Sequence, residues 1–264
     1  MQTLKKVVVV IPVYKKNPKN AFFANCTKIL NNYDFCLIAP KSLDMSKYEE
    51  LLKAKNKEYS IKRFNNKYFK DVKSYSKFCL KSKLYKAFRN YEYMFLLQED
   101  GFVFKDELEY WCNKGFDYIG APLFEGYENS DENSPMIEFS GNGGVSLRKI
   151  SSFIEALKKE ERHSINPVRI LSDFIFKNRF KSYKTEFQRL KNRVNEDVII
   201  TQYLRTKRGL KPAPNREAIF FSFEVQPERL YRLTEGVLPF ACHAYRKYNP
   251  EFWKQFIPEE NFLA

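Results

Sequence analysis

The sequence predicts an α/β protein built on a βαβ-type sheet, and three observations predict it. The unbroken β-branched run Val7-Val8-Val9-Val10-Ile11 suits a central parallel strand buried on both faces. Strand-like apolar runs then alternate with helix-like stretches through the first half of the chain. Polar clusters fall where the strand-like runs stop, and in open α/β sheets ligands bind at the carboxyl ends of strands.

The first strand covers residues 6–14. Lys5 and Lys6 ahead of it resemble the start of a signal peptide. However, the apolar run is short, contains Pro12, and meets Tyr14-Lys15-Lys16 without a small-residue cleavage site. A helix fits residues 22–30, a second strand 35–39 (ended by Pro40) and a third strand 59–64. Residues 71–91 have helical character, with Tyr75, Phe78, Cys79, Leu80, Leu84 and Phe88 on or near one face. A buried strand over 93–97 runs straight into Gln98-Glu99-Asp100-Gly101. A short helix follows over 106–112, then a strand end at 118–122. Residues 125–135 read as an acidic loop, rich in turn-forming residues, with scope for motion. Gly141-Asn142-Gly143-Gly144 leads into a strand at 145–147, and a helix covers 150–159. Phe176, Phe180, Tyr183, Phe187 and Leu190 mark one face of a further helix whose other faces are basic. Asn195 suits the N-cap of a helix over 198–205, and 219–225 and 240–243 read as late strands.

With 44% hydrophobic and 30% charged residues among 264, a folded, soluble chain is expected. The net charge of +14 favours anionic partners: nucleic acid, nucleotide phosphates or acidic membrane surfaces. The cysteine count is odd, at five, with no Cys-x-x-Cys pair. That argues for reduced thiols in a cytoplasmic protein rather than a disulfide framework or zinc knuckle. No stretch is long enough to cross a bilayer.

Four clusters carry candidate chemistry. Asp100, at the tip of a buried strand, could hold a divalent cation that also binds diphosphate oxygens, or simply form an Asp-Gly turn. Gly141, Gly143 and Gly144 make up three of the chain's nine glycines. Their backbone either approaches something closely, such as a sugar or phosphate, or turns tightly. Glu196 and Asp197 open a helix, where the dipole favours acids. One of them could also be the general base that takes a proton from an attacking hydroxyl. His243 closes an apolar strand, as a structural residue or as a ligand for a Mn²⁺-like ion. The other histidine, His163, follows a charged segment and is expected at the surface.

Taken in order, five segments resemble a bacterial family of GT-A-like glycosyltransferases, the DUF5672 family. They are Gln98-Glu99-Asp100, Asp117-Tyr118-Ile119-Gly120-Ala121-Pro122, Gly141-Asn142-Gly143-Gly144-Val145-Ser146-Leu147-Arg148, Asn195-Glu196-Asp197-Val198 and Leu238-Pro239-Phe240-Ala241-Cys242-His243-Ala244-Tyr245. The likeness runs over nearly the whole chain, and the 141–148 and late His motifs are its most specific parts. It implies a GT-A-like, Rossmann-like mixed central sheet flanked by helices, in a single domain over residues 1–264. The nucleotide-sugar-binding half would end at about residue 104, and the acceptor-binding, catalytic half would follow. The implied reaction moves a sugar from a nucleotide-sugar, by default a UDP-sugar, to a hydroxyl of a glycan acceptor in bacterial surface polysaccharide or lipooligosaccharide synthesis.

By the same resemblance Asp100 and His243 would hold Mn²⁺ or Mg²⁺, although only Asp100 of the triplet matches the family pattern Asp-x-Asp. Asp197, and after it Glu196, would be the base of an inverting transfer. Pro12, Val13 and Tyr14 would flank the nucleotide base, and Gln98, Glu99, Asn142, Gly143 and Gly144 would complete the donor site. The implied setting is the cytoplasm, at the inner face of the plasma membrane. There the basic helix near 174–193 would meet an anionic surface and a lipid-linked acceptor. No nucleic-acid module is recognisable, and no nucleic-acid partner is expected. The competing readings are a basic nucleic-acid-binding protein and a glycan-binding protein without turnover.

Overall fold

The computed structural model describes residues 3–163 and 185–263. Its strands are β1 (Lys5–Pro12), β2 (Asp34–Pro40), β3 (Tyr59–Phe64), β4 (Tyr91–Leu97), β5 (Gly101–Val103), β6 (Tyr118–Gly120), β7 (Val145–Lys149), β8 (Ser222–Phe223) and β9 (Ala241–His243). The main sheet has the order β3-β2-β1-β4-β7-β6. Its first four strands are parallel, β7 is antiparallel to β4, and β6 is antiparallel to β7. A second, three-stranded sheet has the order β5-β9-β8.

Side chains alternate across a strand, and β1 shows why its sequence does not. Val7, Val9 and Ile11 enter one apolar cluster, and Val8 and Val10 enter another on the opposite face. Helices cover both faces, so every position of the strand is apolar. On the first face lie α1 (Asn20–Ile29), α2 (Ser46–Ala54) and, further along, Leu108 and Trp111. On the second face lie α3 (Val72–Cys79), α4 (Ser82–Lys86) and the helix Ile150–His163. Tyr85 of α4 stacks on Phe153 of that last helix, with ring centroids 4.6 Å apart.

Several expectations need correcting. The single helix expected over 71–91 is two. Ser82 starts α4 afresh because Glu161 accepts from both its N–H and its hydroxyl, at 3.0 and 2.6 Å. The late strand expected over 219–225 shrinks to β8. Residues Asn215–Phe221 are helical, which lets Phe221 pack edge-on against Phe95 and Trp111. The acidic loop over 125–135 is pinned rather than loose. Arg232 pairs with Glu132, Arg229 donates to the Ser134 carbonyl, Gln226 donates to the Ser130 carbonyl, and Lys247 pairs with Glu128. Asn195 occupies an N-cap position without a side-chain capping bond, and the helix that follows widens to π geometry over Ile199–Leu204.

All five cysteines are buried and unpaired. The expected amphipathic face at Phe176, Phe180 and Tyr183, and most of the basic helix near 174–193, lie outside the described residues. Phe187 and Leu190 belong to a short helix, Glu186–Leu190, capped by Thr185. Among the described residues no helix is long and apolar enough to cross a membrane.

Candidate functional site

The chain runs β1, β2, β3 outward in one direction and then returns to lay β4 on the other side of β1. This reversal opens a crevice at the carboxyl ends of β1 and β4, the favoured ligand position in such sheets. Pro12 and Tyr14 stand at the end of β1, and Gln98, Glu99 and Asp100 at the end of β4. Together with Lys15, Lys19, Phe69, Lys70, Asp71, Val72 and Tyr75 they line a cleft of about 340 Å³. Val13 does not reach it. Strand alternation turns its side chain into the core, and its N–H donates to the Ile38 carbonyl.

The second sheet delivers the histidine. β5 follows the acidic triplet directly and pairs with β9 so that Gly101 faces His243, while the Ala244 N–H donates to the Asp100 carbonyl at 2.9 Å. The Nε2 of His243 thereby lies 3.2 Å from an Asp100 carboxylate oxygen and 3.2 Å from Gln98 Oε1. β8 runs parallel to β9 with Phe223 beside Cys242. One step on, Glu224 meets the other ring nitrogen, its Oε1 2.9 Å from His243 Nδ1. Burial alone would favour a neutral ring, but Glu224 and then Asp100 outweigh it and raise the His243 pKa to about 10. Asp100 responds in kind. Burial pushes its carboxyl up, and the hydrogen bond and charge of His243 pull it down to about 2. Burial also pushes Glu99 up to about 7, against the Lys19 N–H and the Lys19 and Lys15 charges.

Among the described residues no group of three or more His, Cys, Asp and Glu side chains forms a complete cation site. The donor set is the pair Asp100 and His243. Such a pair fits Mn²⁺ or Mg²⁺ in the mode where substrate phosphates supply the remaining oxygens. Glu224 on Nδ1 is the orienting carboxylate that metal-bound histidines ordinarily carry, leaving Nε2 to face the cation.

None of the glycines of 141–144 takes a positive φ, so left-handed backbone does not account for them. Their reason is close approach, and what approaches is protein. A Cβ on Gly144 would collide with the His243 ring. One on Gly143 would strike the Glu196 carboxylate, and one on Gly141 the Tyr118 ring. Glu196 is buried there, 3.8 Å from the guanidinium of the fully enclosed Arg148. Arg148 also donates to Tyr85 OH, Ser146 Oγ and the Gly143 carbonyl, each at 3.0 Å.

Asp197 points elsewhere. With Leu123, Tyr127, Asn142, Arg193, Glu224 and Tyr248, among others, it lines a second cleft of about 290 Å³. Burial, then the charges of Glu196 and Glu224, raise its pKa to about 7, with the Val198 N–H bonding one oxygen in opposition. Glu224 was not foreseen from sequence. Only its place just after a short β-branched and aromatic run marks it. Its Oε2 is buried with no hydrogen-bond partner, a state that costs about 1–3 kcal/mol for an ordinary buried acceptor and more for a charged one. A larger cleft of about 690 Å³, lined by Tyr33, Asp106 and Trp111 among others, contains none of the predicted site residues.

No curated protein matches the chain in sequence. Three solved structures illustrate what it is similar to in shape. Core-mannan synthase A from Aspergillus fumigatus, in a Mn/GDP form, is 10% identical with a TM-score of 0.41, over 60% of this chain and 64% of its own. A mannosyltransferase from S. cerevisiae is 8% identical with a score of 0.40, over 61% of each chain. In both, the match spans less than two thirds of the other protein's length. A glycosyltransferase involved in the glycosylation of the major capsid of PBCV-1 is 12% identical with a score of 0.40, over 90% of this chain and 92% of its own. Sequence does establish the family: residues 58–243 match the one described as "Protein of unknown function (DUF5672)", and the chain belongs to it.

Proposed function

We propose that the protein is a metal-assisted, GT-A-like glycosyltransferase that moves a sugar from a nucleotide-sugar to a hydroxyl of a glycan acceptor. One observation carries this reading: His243 stands between two clefts and touches the lining of each. Its Nε2 faces Gln98 and Asp100 of the cleft at the ends of β1 and β4, and its Nδ1 faces Glu224 of the smaller cleft that Asp197 lines. A donor diphosphate in the first and an acceptor in the second would bring the reacting atoms together beside that ring.

In this reading Asp100 and His243 would hold Mn²⁺ or Mg²⁺, whose charge would stabilise the leaving diphosphate. Pro12 and Tyr14 flank the base, and Lys15 and Lys19 supply positive charge near the phosphates. Asp197 takes the proton from the acceptor hydroxyl as its oxygen bonds the anomeric carbon, while the bond from that carbon to the diphosphate oxygen breaks on the opposite side. Glu196, enclosed beside Arg148, is poorly placed for this and serves to fix the 141–144 segment. UDP is the default nucleotide. The acceptor is a surface polysaccharide or lipooligosaccharide, met by a +14 protein at the anionic inner face of the plasma membrane.

The test is calorimetric titration of UDP, GDP and CMP with and without Mn²⁺, on wild type and Asp100→Ala. Mn²⁺-dependent binding of one nucleotide, lost in the variant, is the expected result. No binding of any nucleotide under either condition would remove the reading.

A further inference from the structure

The smaller cleft has a composition of its own. Its base is acidic, with Asp197 and the buried Glu224, whose Oε2 faces no protein donor. Its sides are aromatic, with Tyr127 and Tyr248. Its third carboxylate, Glu128, is already matched by Lys247 at 2.8 Å. The loop that carries Tyr127 is anchored, so the cleft is largely formed before anything binds. Carboxylate acceptors beside aromatic faces suit a sugar ring, which offers hydroxyl donors on its edges and C–H groups on its faces. Two carboxylates at the base, set against the single guanidinium of Arg193, disfavour a sugar that carries its own.

We propose that this cleft is the acceptor subsite for a neutral hexopyranose. In it Glu224 splits its two oxygens: Oε1 orients His243, and Oε2 accepts a hydrogen bond from an acceptor hydroxyl. The proposal rests on the glycosyltransferase reading and narrows it. Glu224 becomes a specificity residue that ties acceptor occupancy to the histidine at the donor side. A uronic acid is disfavoured by charge.

The experiment is ligand-observed saturation-transfer NMR with methyl glucoside, methyl galactoside, methyl mannoside and methyl glucuronoside. The proteins are wild type and Glu224→Gln, each also titrated with UDP and Mn²⁺. Glutamine keeps a carbonyl oxygen for His243 Nδ1 and turns the unpartnered atom from acceptor to donor. At least one neutral glycoside should bind. Its Kd should rise about tenfold or more in Glu224→Gln, as expected for loss of a hydrogen bond to a charged acceptor, and the glucuronoside should bind more weakly than the glucoside. The nucleotide Kd should change by a smaller factor than the glycoside Kd. Equal glycoside binding in the variant, glucuronoside binding as tight as glucoside, or no glycoside binding at all overturns the proposal. Parallel loss of nucleotide and glycoside affinity overturns it too, because Glu224 would then act only through His243. Glycoside binding that depends on Glu224, in a protein that binds no nucleotide, would leave the sugar subsite standing and sink the transferase reading instead.

Discussion

After Asn195 two adjacent carboxylates meet different surroundings. Glu196 lies beside Arg148, and Asp197 lines the smaller cleft with its pKa raised to about 7. A base acts in its deprotonated form, so log(kcat/KM) should climb with slope one below pH about 7 and level off above it. Asp197→Asn should cut kcat by about 10²–10⁴-fold. The same shift has a stability consequence of opposite sense. The folded pKa lies above the unfolded value, so the folded state penalises the charged form. Stability from this group is fully present below the unfolded carboxylate pKa and is lost as pH rises to about 7. Asp197→Asn should therefore raise the Tm at pH 8, with the gain vanishing towards pH 4. A flat pH–rate profile together with an unchanged Tm would remove Asp197 from the role of base. Arg148 makes the opposite case, because its charge is enclosed and every N–H direction it uses is occupied. Arg148→Ala strands Glu196 and should cost about 3–5 kcal/mol in chemical denaturation.

At the scale of elements, Gly144 is where β7 begins and where the His243 ring rests. Gly144→Ala should push that ring away from Asp100 and weaken Mn²⁺-dependent nucleotide binding, while Gly115→Ala, strained at a left-handed φ of 77° but lining neither cleft, should cost stability and leave that binding unaltered. Phe153→Ala, in the packing of the helix Ile150–His163 on α4, should cost about 3–5 kcal/mol without touching either cleft. These elements also show what the sequence discloses and what it hides. β1 and β4 were legible because burial on both faces writes an unbroken apolar run, and the acidic triplet was legible because it interrupts one. Val13 turns into the core between Pro12 and Tyr14, which line the cleft, and a strand end tells nothing of which face its last residues take. Helix 215–221 was misread because an apolar run such as Ile219-Phe220-Phe221 has no period of its own. Glu224 was hidden because its importance comes only from the β8–β9 ladder, a pairing between segments whose register no local signal records. The glycines of 141–144 advertised a close approach, but the approaching groups sit at 118, 196 and 243, far away in sequence.

Across the whole molecule, the chain's two halves share one sheet. β4 from the first half pairs with β7 from the second, and the small sheet continues from β4 through the turn at Gln98–Gly101. Differential scanning calorimetry should accordingly show a single unfolding transition, where separable halves would give two. A nucleotide and Mn²⁺ at about one hundred times Kd should stabilise that one transition by about 2.7 kcal/mol.

The small sheet has its latest segment in its middle. In that sheet β5 and β8 do not pair with each other, and each pairs only with β9. On the ribosome, then, Asp100 is synthesised long before the strand that brings its histidine. A nascent chain can assemble β1 to β4 and close the Rossmann-like crevice while β9 is still inside the exit tunnel. Until β9 is made, Asp100 and Glu224 have no histidine between them and Tyr248 has yet to follow, so neither cleft can be complete before this strand.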